Sequence, residues 1–457
     1  MRKPRPRPEP IRWLREEVPL LVDRLDRRAL LIGGGLAGAA VLAWALVAGP
    51  LSSDHEPGTT RVVTVAVETD DAQEAPVGAL GFPLVATRNT TRVGGADSAS
   101  NAAAVALATH PPAPGANPIE AAVLVPDDDW QAGIAAALLA GPPLRAPLLI
   151  GSATSLPEPT AEALAQLRPR GGGGASDAAI YAIGDVASAP GLETDRIEGG
   201  SAAELADSID RLRQRLLKQE PEHVVIASQD EAAFAMPAAA WAARSSDPIL
   251  FSKRDEVPEA TLKALERHRG TPIYVLGGPT VITDRVVREL ERISPGVERV
   301  GSDDPVQNAI DFAQYADSSF GWNINDPGHG LVLANTANPL DAAAAATLSA
   351  SGKWGPLLLT DVSRILPAEL TSFLLDLKPG FDDDPTRAVY NHVWLIGDAE
   401  AIGAAVQAEV DELAELAEVG AGAGGPVIEQ SDGGGEVALP GGPEDEPEPK
   451  PAKKQKP

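Results

Sequence analysis

The sequence predicts an α/β protein built from three tandem modules with parallel sheets, because short apolar runs alternate with helical stretches and the succession recurs three times. The clearest recurrence begins at Ala146, Asp247 and Gly355. At each place a proline and an apolar run are followed by a polar loop, a second proline and an amphipathic run. The apolar runs are rich in Val, Ile and Leu and do not alternate with polar residues. Such runs are typical of strands buried on both faces of a parallel sheet.

Three further segments recur in the same order along the chain. One is an Arg-Val or Arg-Ile pair before a helix, one is an apolar run leading into an Ala-rich helix, and one is an aromatic residue two positions before an Ile-Gly or Leu-Gly pair. These segments begin at Arg92, Arg196 and Arg299; at Val123, Val224 and Leu331; and at Ala179, Pro272 and His392. Four elements in three ordered copies predict a repeating unit of about 105 to 120 residues.

Each copy also carries a helix start signal. Five residues after each repeated arginine stands a residue that favours the helix N-cap, namely Asp97, Ser201 or Asp304. Three residues further, Glu204 and Gln307 complete the capping-box pattern in the second and third copies. Strands and helices that alternate through short loops predict a parallel, doubly wound sheet in each copy.

The N-terminal region contains a candidate membrane segment. Residues 29–48 carry no charge and are long enough to cross a hydrocarbon core of about 30 Å as a helix. Because Arg24, Arg27 and Arg28 precede this segment, the positive-inside rule predicts a cytosolic N terminus and an exported body. The alternative is a cleavable signal peptide, since residues 43–45 have the small-residue spacing of a cleavage site.

Charge and composition exclude several classes of protein. The formal net charge is −27, and residues 1–28 carry nine Lys/Arg against five Asp/Glu, so the rest of the chain stands at −31. A body this acidic repels nucleic acid and anionic membrane in bulk, so we expect no nucleic acid as a partner. The chain has no Cys, its Gly-rich turns lack phosphate-loop spacing, and its six His occupy no equivalent repeat positions. We therefore expect no enzyme, no metal and no cofactor.

Composition and repeats together divide the chain into segments. After about Val419, Gly, Pro and charged residues dominate and large apolar residues are scarce, which predicts a disordered tail. The predicted segments are a cytosolic basic segment (1–28), a transmembrane helix (29–48), a linker (49–60), three repeat modules (61–191, 192–295 and 296–418) and the tail (419–457).

The ordered motifs resemble the cell wall-binding repeat 2 family of Gram-positive surface proteins, over about Arg92 to Leu416. The resemblance implies Rossmann-like or toprim-like modules packed as a pseudo-trimer, which hold surface proteins noncovalently to anionic wall polysaccharide. The chain departs from the family pattern at two points. A second arginine and an aromatic residue that follow the first arginine in the family are replaced in all three copies, and the aspartate that opens the Ala-rich helix is retained only at Asp341.

The repeated arginines and Asp341 are the candidate residues for binding an anionic ligand. A guanidinium beside a helix N terminus suits a phosphate, carboxylate or uronate group, because both offer N–H donors and positive charge. Alternatively, Arg92, Arg196 and Arg299 form intramolecular ion pairs or contacts between modules. We predict a membrane-anchored envelope protein whose extracytoplasmic modules bind a cell-wall anionic polymer, with residues 29–48 in the cytoplasmic membrane. The alternative function is a scaffold for contacts with envelope proteins.

Overall fold

The computed structural model describes residues 85–112, 118–172, 177–350 and 355–419. Within these ranges, no helix is both long enough and apolar enough to cross a membrane. The predicted transmembrane helix at 29–48 lies outside the described residues, as do the basic segment, the linker and all but the first residue of the predicted tail. These assignments therefore stay predictions.

Parallel sheets form the framework of the described chain. The strands are β1 (Val85–Ala86), β2 (Thr90–Val93), β3 (Ala122–Pro126), β4 (Leu148–Gly151), β5 (Ile180–Ile183), β6 (Thr194–Ile197), β7 (Val224–Ser228), β8 (Ile249–Ser252), β9 (Ile273–Leu276), β10 (Val297–Val300), β11 (Gly330–Asn335), β12 (Leu357–Thr360), β13 (Gly380–Phe381), β14 (His392–Ile396) and β15 (Ala417–Glu418). Three sheets have the orders β4-β3-β5-β6, β8-β7-β9-β10 and β12-β11-β14-β2, with β1 antiparallel at the edge of the third. The predicted α/β class with parallel sheets and repeated modules is confirmed.

Helices cover these sheets. They are α1 (Ser98–Thr109), α2 (Trp130–Ala136), α3 (Glu158–Leu167), α4 (Ala202–Leu217), α5 (Ala232–Ser245), α6 (Glu259–Arg267), α7 (Asp284–Leu290), α8 (Pro305–Gln314), α9 (Leu340–Ala350), α10 (Ala368–Asp376) and α11 (Ala404–Leu413). Every residue of β3 and β7 is buried, as the unbroken apolar runs predict. The strands β6 and β10, which carry two of the repeated arginines, lie at sheet edges and are partly exposed.

The sheets are offset from the sequence repeats. Strand β2, which contains Arg92 and falls in the predicted first module, pairs with β14 in the third sheet. In the same way, β6 completes the first sheet and β10 completes the second. A sequence repeat shows how often a unit recurs but not at which residue each unit begins. In the structure, each sheet ends with an arginine strand. The described chain closes into a ring because its first long strand joins its last sheet.

The helix after each arginine strand packs on the next sheet along the chain. Helix α1 contacts β4, α4 contacts β8, and α8 contacts β12. The chain therefore passes from one sheet to the next between an arginine strand and its following helix. This crossing joins neighbouring modules. Each sheet is covered partly by the helix that follows the arginine strand of the preceding sheet.

The Ala-rich helices α2, α5 and α9 contact one another in all three pairs. Residues 342–346 of α9 are at most 2% exposed, and all are alanine. On α2, a Cβ added at Gly133 would lie 3.0 Å from Leu340 Cδ2 and 3.1 Å from Ala343 Cβ. Small side chains permit this close approach of helices, which explains why these segments are so rich in alanine.

The prolines of the opening motif precede α3, α6 and α10, where they occupy the N-cap position. Three residues later, the buried hydroxyl of Thr160 donates to the carbonyl of Ile150 at 2.6 Å, and Thr261 donates to Phe251 at 2.7 Å. Each threonine joins its helix to the preceding edge strand. The third copy has Leu370 at this position and lacks the hydroxyl.

The reciprocal bond of the predicted capping box is wrong in both copies, and Glu204 accepts from the N–H of Gly200, one residue before its cap, at 2.9 Å. The three N-caps Asp97, Ser201 and Asp304 do accept a bond from the backbone N–H three residues on. Gln307, however, does not reach back to its cap: its Nε2 donates to Asp311 Oδ1 at 2.7 Å. A carboxylate one turn ahead attracts the amide donor of glutamine, whereas the carboxylate of a glutamate can only accept.

Candidate functional site

Each repeated arginine is clamped to a repeated glycine on the neighbouring strand. The guanidinium Nη1 donates to the glycine carbonyl in all three copies, from Arg92 to Gly397 at 2.9 Å, from Arg196 to Gly184 at 2.9 Å and from Arg299 to Gly277 at 2.6 Å. The structure thus connects two sequence features that were analysed separately, the arginine before a helix and the glycine after an apolar strand. We call this contact the Arg–Gly clamp.

The glycines are required by the backbone at the ends of their strands. Gly184, Gly277 and Gly397 have φ angles of +65°, +104° and +98°, a region that L side chains rarely adopt. Their N–H groups donate to the carbonyl of the residue after the clamped arginine, at 2.8 to 3.0 Å. Both backbone polar groups of each glycine are therefore bonded to the adjacent strand, and the glycine turn is a strand exit.

Arg92 is buried and bonded entirely within the protein. Besides the clamp, it donates to the carbonyls of Asp398 and Ile402 at 2.6 and 2.7 Å, and its Nε donates to Gln407 Oε1 at 3.1 Å. Burial lowers the pKa of Arg92, and the nearby charge of Asp398 opposes this shift. The side chain is 7% exposed, so this guanidinium is a structural contact between the first and last parts of the described chain.

Arg299 combines its clamp with an ion pair. Its Nη2 lies 3.1 Å from Asp284 Oδ1, at the start of α7. Nearby, hydrogen bonds from Thr280 lower the pKa of the Asp303 carboxyl, and the charge of Arg299 lowers it further. The intramolecular ion pair that the sequence left open as an alternative therefore occurs in this copy.

Arg196 differs because its copy lacks a covering helix. Residues 184–193, which connect β5 to β6, hold no helix. In the second sheet α7 lies between the equivalent strands and provides Asp284, and in the third α11 follows β14 and provides Gln407. Among the described residues, the Nη2 of Arg196 donates to Ser188 Oγ alone, at 3.3 Å, and Arg196 is exposed.

An open cavity of about 640 Å³ lies beside Arg196. Gly184, Asp185 and Glu198 line it together with residues 199–200, at the carboxyl ends of β5 and β6. Ligands of open α/β sheets bind at this end of the strands. Two carboxylates and one guanidinium give the cavity a mixed rim, so an anionic group could be held there only by short-range hydrogen bonds to Arg196.

Asp341 lies on a different contact. It is fully buried in the first turn of α9, where its Oδ1 accepts from Ser98 Oγ at 2.6 Å and from Asn101 Nδ2 at 2.9 Å. Its Oδ2 has no hydrogen-bond partner among the described residues. Burial raises the pKa of Asp341, while the two hydrogen bonds oppose the shift. Asp341 therefore joins α9 to α1.

The structure does not gather the predicted site residues into one place. The three arginines lie on three different sheets, and Asp341 contacts none of them by a hydrogen bond. The glycines recur visibly in the sequence, but their contact with the arginines does not follow from it. Ser188 and Glu198 were not among the candidate residues, because neither recurs with the arginines.

Together these features define a tandem-repeat α/β protein with three degenerate copies of one module. Residues 196–287 match the family described as "Cell wall binding domain 2 (CWB2)". This stretch begins at the Arg196 strand and runs into α7, so it contains a complete apolar-strand, Ala-rich-helix and glycine-turn succession. The match confirms the resemblance to the cell wall-binding repeat 2 family.

Two solved structures share the fold. Cwp6 from Clostridium difficile has a TM-score of 0.58 at 19% identity, covering 72% of this chain and 48% of that chain. Cwp8 from Clostridium difficile has a TM-score of 0.55 at 21% identity, covering 72% of this chain and 52% of that chain. This chain therefore spans about half the length of these proteins. Among curated proteins, none matches the sequence.

Proposed function

We propose that the protein binds an anionic cell-wall polymer noncovalently through its repeat modules. The observation that carries the proposal is the match of residues 196–287 to cell wall binding domain 2. The matched stretch includes Arg196, which is the exposed member of the three clamped arginines. The match therefore includes the exposed arginine, whereas its clamp partner Gly184 lies before the matched stretch.

Polymer recognition is assigned to the Arg196 cavity. A guanidinium has five N–H donors, and the contacts to Gly184 and Ser188 leave donors for a phosphate or carboxylate group of the polymer. Arg92 and Arg299 are committed to the protein itself, so their role in this proposal is to hold the strand ends. Because the body of the chain is acidic, attraction to the polymer is local and must weaken as salt increases.

The location in the cell follows from the same proposal. A wall-binding module works outside the cytoplasmic membrane, and residues 29–48 would anchor the chain there with its N terminus in the cytosol. The modules would form a pseudo-trimer of Rossmann-like or toprim-like units. The mutual contacts of α2, α5 and α9 and the identical connectivity of the three sheets support that arrangement.

The test is sedimentation of the full chain with purified Gram-positive cell walls in a non-ionic detergent, at about 0.05 and 0.5 M salt. Arg196→Ala is compared with Arg285→Ala, which removes the same charge from an exposed position on α7. We expect retention of the wild type at low salt, a loss of about tenfold in affinity for Arg196→Ala, and wild-type behaviour for Arg285→Ala. Walls stripped of anionic polymer by acid extraction should retain none of the three proteins.

Equal losses for the two variants would contradict the Arg196 cavity as the binding site. No retention of the wild type at either salt would favour the second function, a scaffold for contacts with envelope proteins. One observation favours that alternative: the most buried clamp, at Arg92, directs its hydrogen bonds into the protein and serves the fold alone.

A further inference from the structure

A serine, a histidine and an aspartate are joined by hydrogen bonds beside the second sheet. His223 precedes β7, Asp247 lies between α5 and β8, and Ser319 lies in the segment that follows α8. The distance from His223 Nδ1 to Asp247 Oδ2 is 3.1 Å, and the distance from His223 Nε2 to Ser319 Oγ is 3.0 Å. His223 and Asp247 are buried, whereas Ser319 is exposed. This is the spatial relation of nucleophile, base and orienting carboxylate in serine acyl-transfer enzymes.

The hydrogen bonds around Asp247 decide which ring nitrogen of His223 carries the proton. Asp247 Oδ1 accepts from the backbone N–H of His223 at 3.1 Å, and Oδ2 accepts from Trp241 Nε1 at 2.9 Å. A carboxylate can only accept, so the Nδ1 that faces Oδ2 is the protonated nitrogen. The lone pair of Nε2 then points to the hydroxyl of Ser319, which is the arrangement that a general base needs.

Ser319 is held on a rigid turn. Asp317 and Phe320 exchange two backbone hydrogen bonds of 2.8 Å, and Ser318 at the corner of this turn has a φ of +54°. The Phe320 ring stacks on Tyr274 with centroids 3.6 Å apart, and the Tyr274 hydroxyl donates to Asp317 Oδ2 at 2.9 Å. These contacts fix both ends of the turn against β9, so the serine hydroxyl is presented to solvent from a constrained backbone.

We propose that Ser319 is an activated nucleophile that transfers the acyl group of a carboxylic ester to water. Ser319 Oγ forms a bond to the acyl carbon while its proton passes to His223 Nε2, and the ester C–O bond breaks as the leaving alcohol takes that proton. Water then attacks the acyl-serine, gives its proton to His223 and restores the free hydroxyl. We expected no enzyme from the sequence, because these three residues lie far apart along the chain.

The test is labelling of the full chain with a fluorophosphonate probe, followed by mass spectrometry of the modified peptide. Ser319 Oγ would form a bond to phosphorus as the P–F bond breaks, with fluoride leaving and the proton passing to His223. General-base assistance contributes about 100-fold or more, so Ser319 should be labelled at least ~100 times faster than the adjacent Ser318. His223→Gln should lower the rate at Ser319 to that of Ser318.

Hydrolysis of p-nitrophenyl acetate provides the second measurement. We expect turnover by the wild type and by Ser318→Ala, and its loss in Ser319→Ala. Equal labelling of the two serines in the wild type would overturn the proposal, and this comparison needs no variant that must fold. Ser319→Ala should still sediment with cell walls, so failure here and failure of the wall-binding function are distinguishable.

Discussion

Replacing Arg92 with alanine removes the buried guanidinium that joins β2 to the end of the third module. The wild-type side chain donates to the carbonyls of Gly397, Asp398 and Ile402 and to the amide oxygen of Gln407. A hydrogen bond from a charged donor contributes about 1.5–3 kcal/mol, and a buried acceptor left unpaired costs about 1–3 kcal/mol. Since water can reach part of the space that the side chain vacates, we expect the free energy of unfolding to fall by about 3–5 kcal/mol.

Arg196→Ala is the matched control, because it removes the arginine of the same clamp from an exposed position. We expect it to lower the free energy of unfolding by less than about 1 kcal/mol. Urea unfolding of the full chain measures both values, and hydrogen exchange measures the local effect. In Arg92→Ala, the amides of β2 and β14 should exchange faster than those of β7. Equal midpoints for the two variants would refute the division between a buried and an exposed clamp.

Three other substitutions test separate contacts. Gly397→Ala sets a Cβ 2.9 Å from Ala401 Cβ at a φ of +98°, so the free energy of unfolding should fall by about 1–3 kcal/mol; an unchanged melting temperature would contradict this. Asp341→Asn should stabilise the protein at neutral pH, because burial raises the pKa of the Asp341 carboxyl in the folded state. The carboxyl therefore ionises at lower pH in the unfolded state than in the folded state. As a result, the free energy of unfolding of the wild type falls as pH rises from the ordinary Asp range through the folded-state pKa. Denaturation curves from about pH 4 to 8 should show that fall in the wild type and not in the variant. Thr261→Val removes the bond to the Phe251 carbonyl and should cost about 1–2 kcal/mol by thermal melting; wild-type stability would show that the bond contributes nothing.

The class of fold could be predicted from the sequence because repetition and periodicity are local properties. Unbroken apolar runs such as 123–125 and 224–227 indicated strands buried on both faces, and the structure places them in the middle of parallel sheets. The starting point of each sheet could not be predicted. The pairing of β2 with β14 joins residues about three hundred positions apart. The residue types in these two strands do not identify the strand with which each one pairs.

The site was predicted only in part, for a related physical reason. The recurrence of the arginines was visible, but each clamp ends on a backbone carbonyl, and a carbonyl is common to every residue type. Only the recurrence of the glycine that carries this carbonyl was visible in the sequence. The contact of His223 with Ser319 depends on where α8 and the segment after it lie, which is a property of the ring of modules rather than of any one repeat.

The three clamps show how copies of one module acquire different roles. The arginine and the glycine are common to all copies, so the strand exit that they stabilise is the common structural requirement. What differs is the covering element, since α11 covers Arg92 and α7 provides the partner of Arg299. In the first sheet that helix is replaced by the loop 184–193, which leaves Arg196 at an open cavity. An arginine that closes the fold elsewhere therefore becomes available to a ligand through the absence of one helix.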